Sequence, residues 1–108
     1  NRHPSYEADL IKQTEDFRRL TAAGQSLCIC GDYNCSFSDN YYFTKSGRQR
    51  ITDTFSECGI ELITAVQPSC IDHIAISKRF MGDSSVQISE WNIDKSLSDH
   101  KGISVQFD

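Results

Sequence analysis

Three short stretches of the sequence contain the residue types best suited to catalysis. They are Gly31-Asp32-Tyr33-Asn34, Ile71-Asp72-His73-Ile74 and Ser98-Asp99-His100. Each stretch lies beside a segment with a strand pattern, so the sequence predicts that their polar groups meet in one cleft at strand ends. Carboxylates, an amide and an imidazole in one cleft suit the attack of water on a phosphoester, with a divalent metal neutralising the developing charge. The predicted members of this cleft are Asp32, Asn34, Asp72, Asp99 and His100.

The first stretch pairs a carboxylate with an amide. Asp32 and Asn34 are two residues apart, so in an extended segment their side chains point the same way. The carboxylate can orient or deprotonate a water, and the amide can hydrogen-bond a phosphate oxygen or the nucleophile. The competing interpretation is an Asx turn leaving a strand, a common use of these residue types.

The second stretch places a carboxylate in an apolar strand pattern. Asp72 needs a partner there, because burying an unpaired charge is expensive. His100 is a suitable one, since a carboxylate fixes the tautomer of a histidine and raises its pKa. We therefore expect an Asp72 carboxyl oxygen to accept a hydrogen bond from the His100 ring. An ordinary salt bridge or a solvent-facing strand residue is the alternative for Asp72, and His73, on the opposite face, is interpreted as structural.

The third stretch precedes the last strand. Asp99 offers oxygen ligands to a hard cation such as magnesium. His100 can hydrogen-bond the scissile phosphate or serve as acid or base. The alternative is a plain turn entering an edge strand.

The surrounding pattern predicts an alternation of helices and strands. Apolar residues at helical spacing predict a first helix from Tyr6 to Ala23 and a second one ended by Gly59. The run Ser26–Gly31 predicts a strand buried on both faces, with Cys28 and Cys30 as small buried hydrophobes. Further strands are expected over residues 60–63 and 70–77, around Val86 and Ile88, and over residues 103–107.

Two clusters between the first two catalytic stretches have open interpretations. Tyr41-Tyr42-Phe43 is expected either to pack in the core or a loop, or to stack on a base or sugar. The basic residues that follow favour a solvated helix face over phosphate contact. They are Lys45, Arg48 and Arg50.

Composition places the chain among single soluble domains. It has 108 residues, 38% apolar and 24% charged, so residues 1–108 are expected to form one domain. The net charge of -4 gives no electrostatic signature of nucleic-acid binding, although a bound metal can supply local positive charge. Five cysteines without zinc spacing imply no disulfide framework, which favours a reducing cytoplasm. No apolar run approaches membrane-spanning length.

The three stretches, in this order and at this spacing, resemble the last three motifs of the endonuclease/exonuclease/phosphatase superfamily, the fold of pancreatic deoxyribonuclease. The resemblance covers most of the chain from the first helix on. It implies the C-terminal half of a four-layer α/β sandwich, with mostly antiparallel sheet flanked by helices. It also implies a magnesium- or manganese-dependent phosphoester hydrolase, either a nuclease, a phosphodiesterase or a phosphatase.

The resemblance implies a role for each residue. Asp32 would orient or activate the attacking water, and Asn34 would hold it. Asp72 would pair with His100, which would contact the scissile phosphate, and Asp99 would lie at the metal or its water shell. His3 is roughly placed to match a histidine that contacts the substrate, although Pro4 is a poor match to the apolar residue that usually follows.

The chain departs from the superfamily in its length. It resembles only the second half, and the metal-ligating glutamate of the first half has no counterpart in it. The alternative is therefore a non-catalytic fragment that folds and self-associates without turnover. An exposed inner sheet face would favour a homodimer or a missing N-terminal partner segment. A third possibility is a generic α/β binding domain, in which Asp32, Asp72 and His100 would lie far apart.

Overall fold

The computed structural model describes residues 4–108, which form a small α/β domain with antiparallel sheets. No helix within this range is long and apolar enough to cross a lipid bilayer. The elements are, in chain order, α1 (Pro4–Ala22), β1 (Cys28–Asp32), α2 (Lys45–Cys58), β2 (Ile60–Leu62), β3 (Asp72–Ser77), α3 (Lys78–Met81), β4 (Val86–Trp91) and β5 (Gly102–Phe107). The predicted helices and strands are all present, and the short α3 was not predicted.

The strands form two antiparallel sheets. In the first sheet β3 lies between β1 and β2, and in the second β4 pairs with β5. Successive side chains of a strand point to opposite faces of the sheet. In the central strand β3, the odd-numbered residues face the helices and the even-numbered residues face the other side. The buried His73 and Ala75 accordingly lie on the helical side, and Asp72 lies on the opposite side.

The core lies between the helices and the first sheet. Leu10 of α1 packs with Ile51 and Phe55 of α2 and with Ile60 and Ala75 of the sheet. The α1 and α2 residues of this cluster belong to the apolar stripes that the sequence predicted for the two helices. The side chain of Thr44 caps the start of α2 by accepting from the Gly47 N–H, and Gly59, at φ 66°, ends the helix in a left-handed conformation that suits glycine.

The prediction that β1 is buried on both faces is wrong. Cys28 and Cys30 are exposed, and only the alternate residue Ile29 packs against the core cluster. Apolar composition indicated a strand correctly, but no described element covers the second face of β1 at these cysteines. All five cysteines are free thiols.

The basic cluster also differs from the expected solvated helix face at one position. Lys45 and Arg50 are exposed, as predicted, but the Arg48 guanidinium lies 3.7 Å from the centroid of the Phe43 ring. It donates to the backbone carbonyls of Ser36, at 2.9 Å, and of Asp39. Arg48 therefore stabilises the loop between β1 and α2.

Candidate active site

The site begins at the edge of the first sheet, where β1 ends and β3 begins. Asp32 and Asp72 are directly opposed in the antiparallel register. Opposed residues of an antiparallel pair project from the same face, so the two carboxylates share one side of the sheet. Gly31, at φ 136°, takes a conformation that L side chains rarely adopt and lies opposite His73.

His100 reaches this pair from the loop before β5. Its Nδ1 lies 2.6 Å from Asp72 Oδ2, and its Nε2 lies 3.9 Å from Asp32 Oδ2. The predicted hydrogen bond between Asp72 and His100 is therefore confirmed. Since a carboxylate only accepts, Nδ1 carries the proton and donates the hydrogen bond to Asp72. The opposite edge of the ring, at Nε2, is directed to Asp32.

The surrounding carboxylates control the charge on His100. The hydrogen bond to Asp72 is the largest of the effects that raise the pKa of His100, and the attraction of the Asp72 charge adds to it. Partial burial opposes these effects, and weaker attractions to Asp32 and Asp99 reinforce them. The His100 side chain is 38% exposed, so solvent screens these interactions. The net effect is nonetheless a raised pKa, so folding favours the imidazolium form relative to the unfolded chain.

Asp99 lies at the same site but in solvent. Its Oδ1 is 3.9 Å from His100 Nε2, and its side chain is 95% exposed. The structure therefore brings four of the predicted residues together, three aspartates around the imidazole of the fourth. They are Asp32, Asp72, Asp99 and His100.

Asn34 is placed differently from the expectation. The segment after Asp32 is not extended: the Asn34 N–H donates to Asp32 Oδ1 at 2.8 Å, and Asn34 has φ 51°. This is the Asx turn of the competing interpretation, so the extended segment on which the first interpretation depended is not formed. Asn34 and Asp32 line a cavity beside α1, whereas Asp72, Asp99 and His100 line a smaller cleft.

The structural interpretation of His73 is confirmed. The ring is 1% exposed, its Nε2 lies 2.8 Å from the Cys35 carbonyl and its Nδ1 lies 2.7 Å from Thr64 Oγ1. Because a carbonyl only accepts, Nε2 carries the proton, and Nδ1 of the neutral ring accepts from the hydroxyl. Burial lowers the pKa of His73, mainly by desolvation of the charged form.

Asn92 positions the loop that bears His100, and sequence reasoning missed it. Its side-chain amide donates to the carbonyls of His100, at 2.7 Å, and Ser98, at 3.1 Å, and its Oδ1 accepts from the Leu97 N–H at 2.9 Å. Asn92 also has φ 56°, a left-handed conformation that asparagine tolerates. An asparagine six residues before Ser98 matches no fixed motif, so only the folded loop reveals its role.

An ion pair beneath the cleft was also missed. Lys101 Nζ lies 3.2 Å from Glu90 Oε1 and donates to the Pro68 carbonyl at 2.9 Å. The two charged side chains are 14% and 15% exposed. Opposite them, the Lys95 ammonium donates to the Tyr41 hydroxyl at 3.0 Å, and both residues line the cleft with His100.

The donor set suits a cation. Asp32, Asp72 and His100 each offer one ligand atom, and these atoms lie within 4.8 Å of one another. The free oxygens of Asp32 and Asp99 are hard donors of the kind that magnesium and manganese take. His3, the predicted substrate contact, lies outside the described residues.

Comparisons of this chain with protein-family models, with curated proteins and with solved structures found no match.

Proposed function

We propose that this chain contributes the catalytic acid–base groups of a metal-dependent phosphoester hydrolase. The observation that supports the proposal is the placement of the Asp32 and Asp72 carboxylates around the His100 imidazole, where the ends of three strands meet. A histidine that is hydrogen-bonded on one nitrogen to a carboxylate presents the other nitrogen for work on a substrate. In further support, the motifs containing these residues resemble those of the endonuclease/exonuclease/phosphatase superfamily.

His100 is the group that binds the substrate phosphate in this proposal. Asp72 fixes the ring and stabilises its protonated form, so Nε2 donates a hydrogen bond to a non-bridging phosphate oxygen. The hydrogen bond and the charge of Asp72 raise the pKa of His100, which favours the form in which Nε2 is a donor.

Asp32 is the group that handles water. Its Oδ1 accepts from the Asn34 N–H, and its Oδ2 lies on the side of His100. A water bound to Oδ2 would stand beside the phosphate held by His100, which is the position needed for attack on phosphorus. Asn34 acts through its backbone here, by orienting the Asp32 carboxylate.

The fold and the cofactor are part of the same proposal. Asp99 would hold Mg²⁺ or Mn²⁺, which would supply charge neutralisation at the phosphate when bound. Two antiparallel sheets flanked by helices are compatible with the C-terminal half of a deoxyribonuclease I-like four-layer sandwich. The glutamate that this resemblance assigns to the first half would then complete the metal site, and this chain alone would bind magnesium weakly.

The substrate is proposed only as a phosphoester, with nucleic acid as one possibility and a reducing cytoplasm as the expected compartment. Tyr41 and Lys95 at the rim of the cleft offer a ring and a cation to whatever adjoins the phosphate.

Hydrolysis of bis(p-nitrophenyl) phosphate tests the proposal. The complete polypeptide should turn over with Mg²⁺ or Mn²⁺ and stop with chelator, and this chain alone should be nearly inert. His100→Ala should lower the turnover of the complete polypeptide by about a hundredfold or more, because it removes the acid–base and phosphate-binding group. Asp83→Asn, which removes an exposed carboxylate before β4, is the matched control and should leave the rate unchanged.

Two outcomes would contradict different parts of this proposal. Full activity of the His100→Ala variant would exclude the assigned role of the imidazole. Tight magnesium binding by this chain in calorimetry, together with robust turnover, would show that the metal site is complete here and that the half-domain interpretation is wrong.

A further inference from the structure

Among the described residues, no strand pairs with the outer edge of β1 in the first sheet. The sheet order places β1 on the outside, with β3 on its inner edge. Hydrogen bonds from the Ser77 N–H to the Leu27 carbonyl and from the Tyr33 N–H to the Ile71 carbonyl mark the bonded pairs at the two ends of the ladder. Bonded pairs alternate in an antiparallel ladder, so the backbone groups of the even-numbered residues of β1 point outward. These residues are Cys28, Cys30 and Asp32.

The open edge lies along a cavity of about 410 Å³. Its walls come from α1, from β1 with the turn that follows it, and from α2. The wall opposite β1 is apolar and aromatic. It includes Tyr6, Leu10 and Phe17 of α1 with Ile51 and Phe55 of α2. The core cluster joins α1 to α2 and to the sheet, so the helix is held in place beside this space.

The charge of the cavity has one sign. Asp9 and Asp32 line it, and its described lining residues include no lysine, arginine or histidine, although Asp32 Oδ2 also lies 3.9 Å from His100 Nε2. An anionic occupant is therefore disfavoured, and a basic side chain near the carboxylates is favoured. The phosphate proposed for the neighbouring His100 cleft does not suit this cavity.

The backbone groups decide between a compact ligand and a strand. Outward N–H and C=O groups two residues apart repeat along β1, and a neighbouring strand at about 4.8 Å pairs such a row completely. A compact ligand would pair at most one of these positions. Side chains of an added strand would also alternate, so every second one would enter the apolar space beneath α1.

We propose that the outer edge of β1 and the cavity beneath α1 bind an extended polypeptide segment by strand addition. The segment has apolar residues at alternate positions and a basic residue near Asp9. This interaction does not use the His100 imidazole, because its contacts are the β1 backbone and the face of α1, and Asp32 borders both sites.

Synthetic peptides test the proposal without altering the protein. The probe is a fluorescein-labelled peptide of about nine residues, alternating valine and threonine with one terminal lysine, long enough to span β1. Its partners are the same peptide with glutamate in place of lysine and a version N-methylated at alternate backbone nitrogens. Fluorescence anisotropy should show binding of the lysine peptide. The N-methylated peptide should bind at least about tenfold more weakly than the lysine peptide, because it loses the hydrogen bonds to the strand edge.

A matched pair of variants tests the edge from the side of the protein. Cys30→Pro removes an outward N–H at an edge strand, where proline is tolerated, and Cys30→Ala removes only the thiol. Peptide affinity should fall about tenfold for Cys30→Pro and change less than about twofold for Cys30→Ala. Circular dichroism melting reports whether each variant is folded. If the proline variant does not fold, the N-methylated peptide still tests whether the edge hydrogen bonds contribute to binding.

Three results would overturn the proposal. One is absence of binding by the lysine peptide, and another is equal binding of the parent and N-methylated peptides, which would show a purely apolar site. The third is a dimer of the free chain, in sedimentation equilibrium, that Cys30→Pro converts to monomer. That result would identify a second copy of this chain as the occupant.

Discussion

The two faces of β3 have neighbouring residues with opposite electrostatic environments. His73 faces the helices, is 1% exposed, and its ring hydrogen-bonds to the neutral Thr64 hydroxyl and Cys35 carbonyl. The adjacent Asp72 faces the other side, where it holds the 38% exposed ring of His100 among carboxylates. Burial lowers the pKa of His73, and carboxylates raise the pKa of His100.

The difference shows how one residue type serves structure or chemistry. A buried imidazole with neutral partners is held neutral and fixes the packing around it, with Phe37 and Tyr33 at ring-centroid distances of 5.0 and 5.2 Å. A partly exposed imidazole with anionic partners binds its proton more tightly than a free one and stays accessible. We therefore expect substitutions on the His73 side to affect stability and those on the His100 side to affect function.

The largest expected effect on stability is that of His73→Ala. The substitution removes the hydrogen bonds of the ring with Thr64 Oγ1 and the Cys35 carbonyl and opens a cavity between two aromatic rings. Together these losses should lower the free energy of unfolding by about 3 kcal/mol. Urea unfolding followed by the fluorescence of Trp91, the single tryptophan, measures it.

His100→Ala is the control for that measurement. Its ring is partly exposed and its ion pairs are screened, so its effect on stability should stay within about 1 kcal/mol. Equal losses for the two alanine variants would contradict the division between the two faces.

The next effect is a dependence of stability on pH that differs in sign between the two histidines. The folded pKa of His73 lies below the unfolded value of 6.5, so its contribution is present above pH 6.5 and is lost as pH falls below it. Each pH unit then costs at most about 1.4 kcal/mol until the folded ring protonates. The folded pKa of His100 lies above 6.5, so its contribution is present below pH 6.5 and is lost as pH rises through the folded pKa.

Unfolding free energies measured between pH 7.5 and about pH 5 test this sign, since most carboxylates titrate lower. His73→Gln should flatten the loss of stability on acidification, and His100→Gln should not. A slope that persists in His73→Gln would assign the acid sensitivity to another group.

The smallest expected effect is that of Asp72→Asn. This substitution keeps the shape of the side chain but removes the charge and the strongest acceptor of His100. The pKa of His100 should fall toward its ordinary value, with a change in stability within about 1 kcal/mol. An NMR pH titration of the His100 ring protons measures the shift, and the ring of His73, on the other face of β3, should titrate as before.

Asp99→Asn is the matched control, because Asp99 is more exposed and contributes less to the pKa of His100. An unchanged His100 titration in Asp72→Asn would show that the hydrogen bond does not control the charge of the ring.

Much of the site followed from local sequence. An aspartate in an apolar strand pattern needs a partner, and His100 was the imidazole beside another predicted strand, so the Asp72–His100 bond could be predicted. The strand alternation likewise placed His73 on the opposite face. The turn at Asn34 could not be resolved, because an extended segment and an Asx turn use the same residues.

The sequence by itself determined which segments form helices and strands, and which faces of them are apolar, because those preferences depend on residues a few positions apart. Tertiary structure decided which faces are covered. Cys28 and Cys30 lie in an apolar run and are nevertheless exposed, because burial requires a second surface and local apolarity does not provide one. The charge on His100 was decided in the same way, since its value depends on carboxylates contributed by Asp32 and Asp72, which only the folded sheet brings within reach.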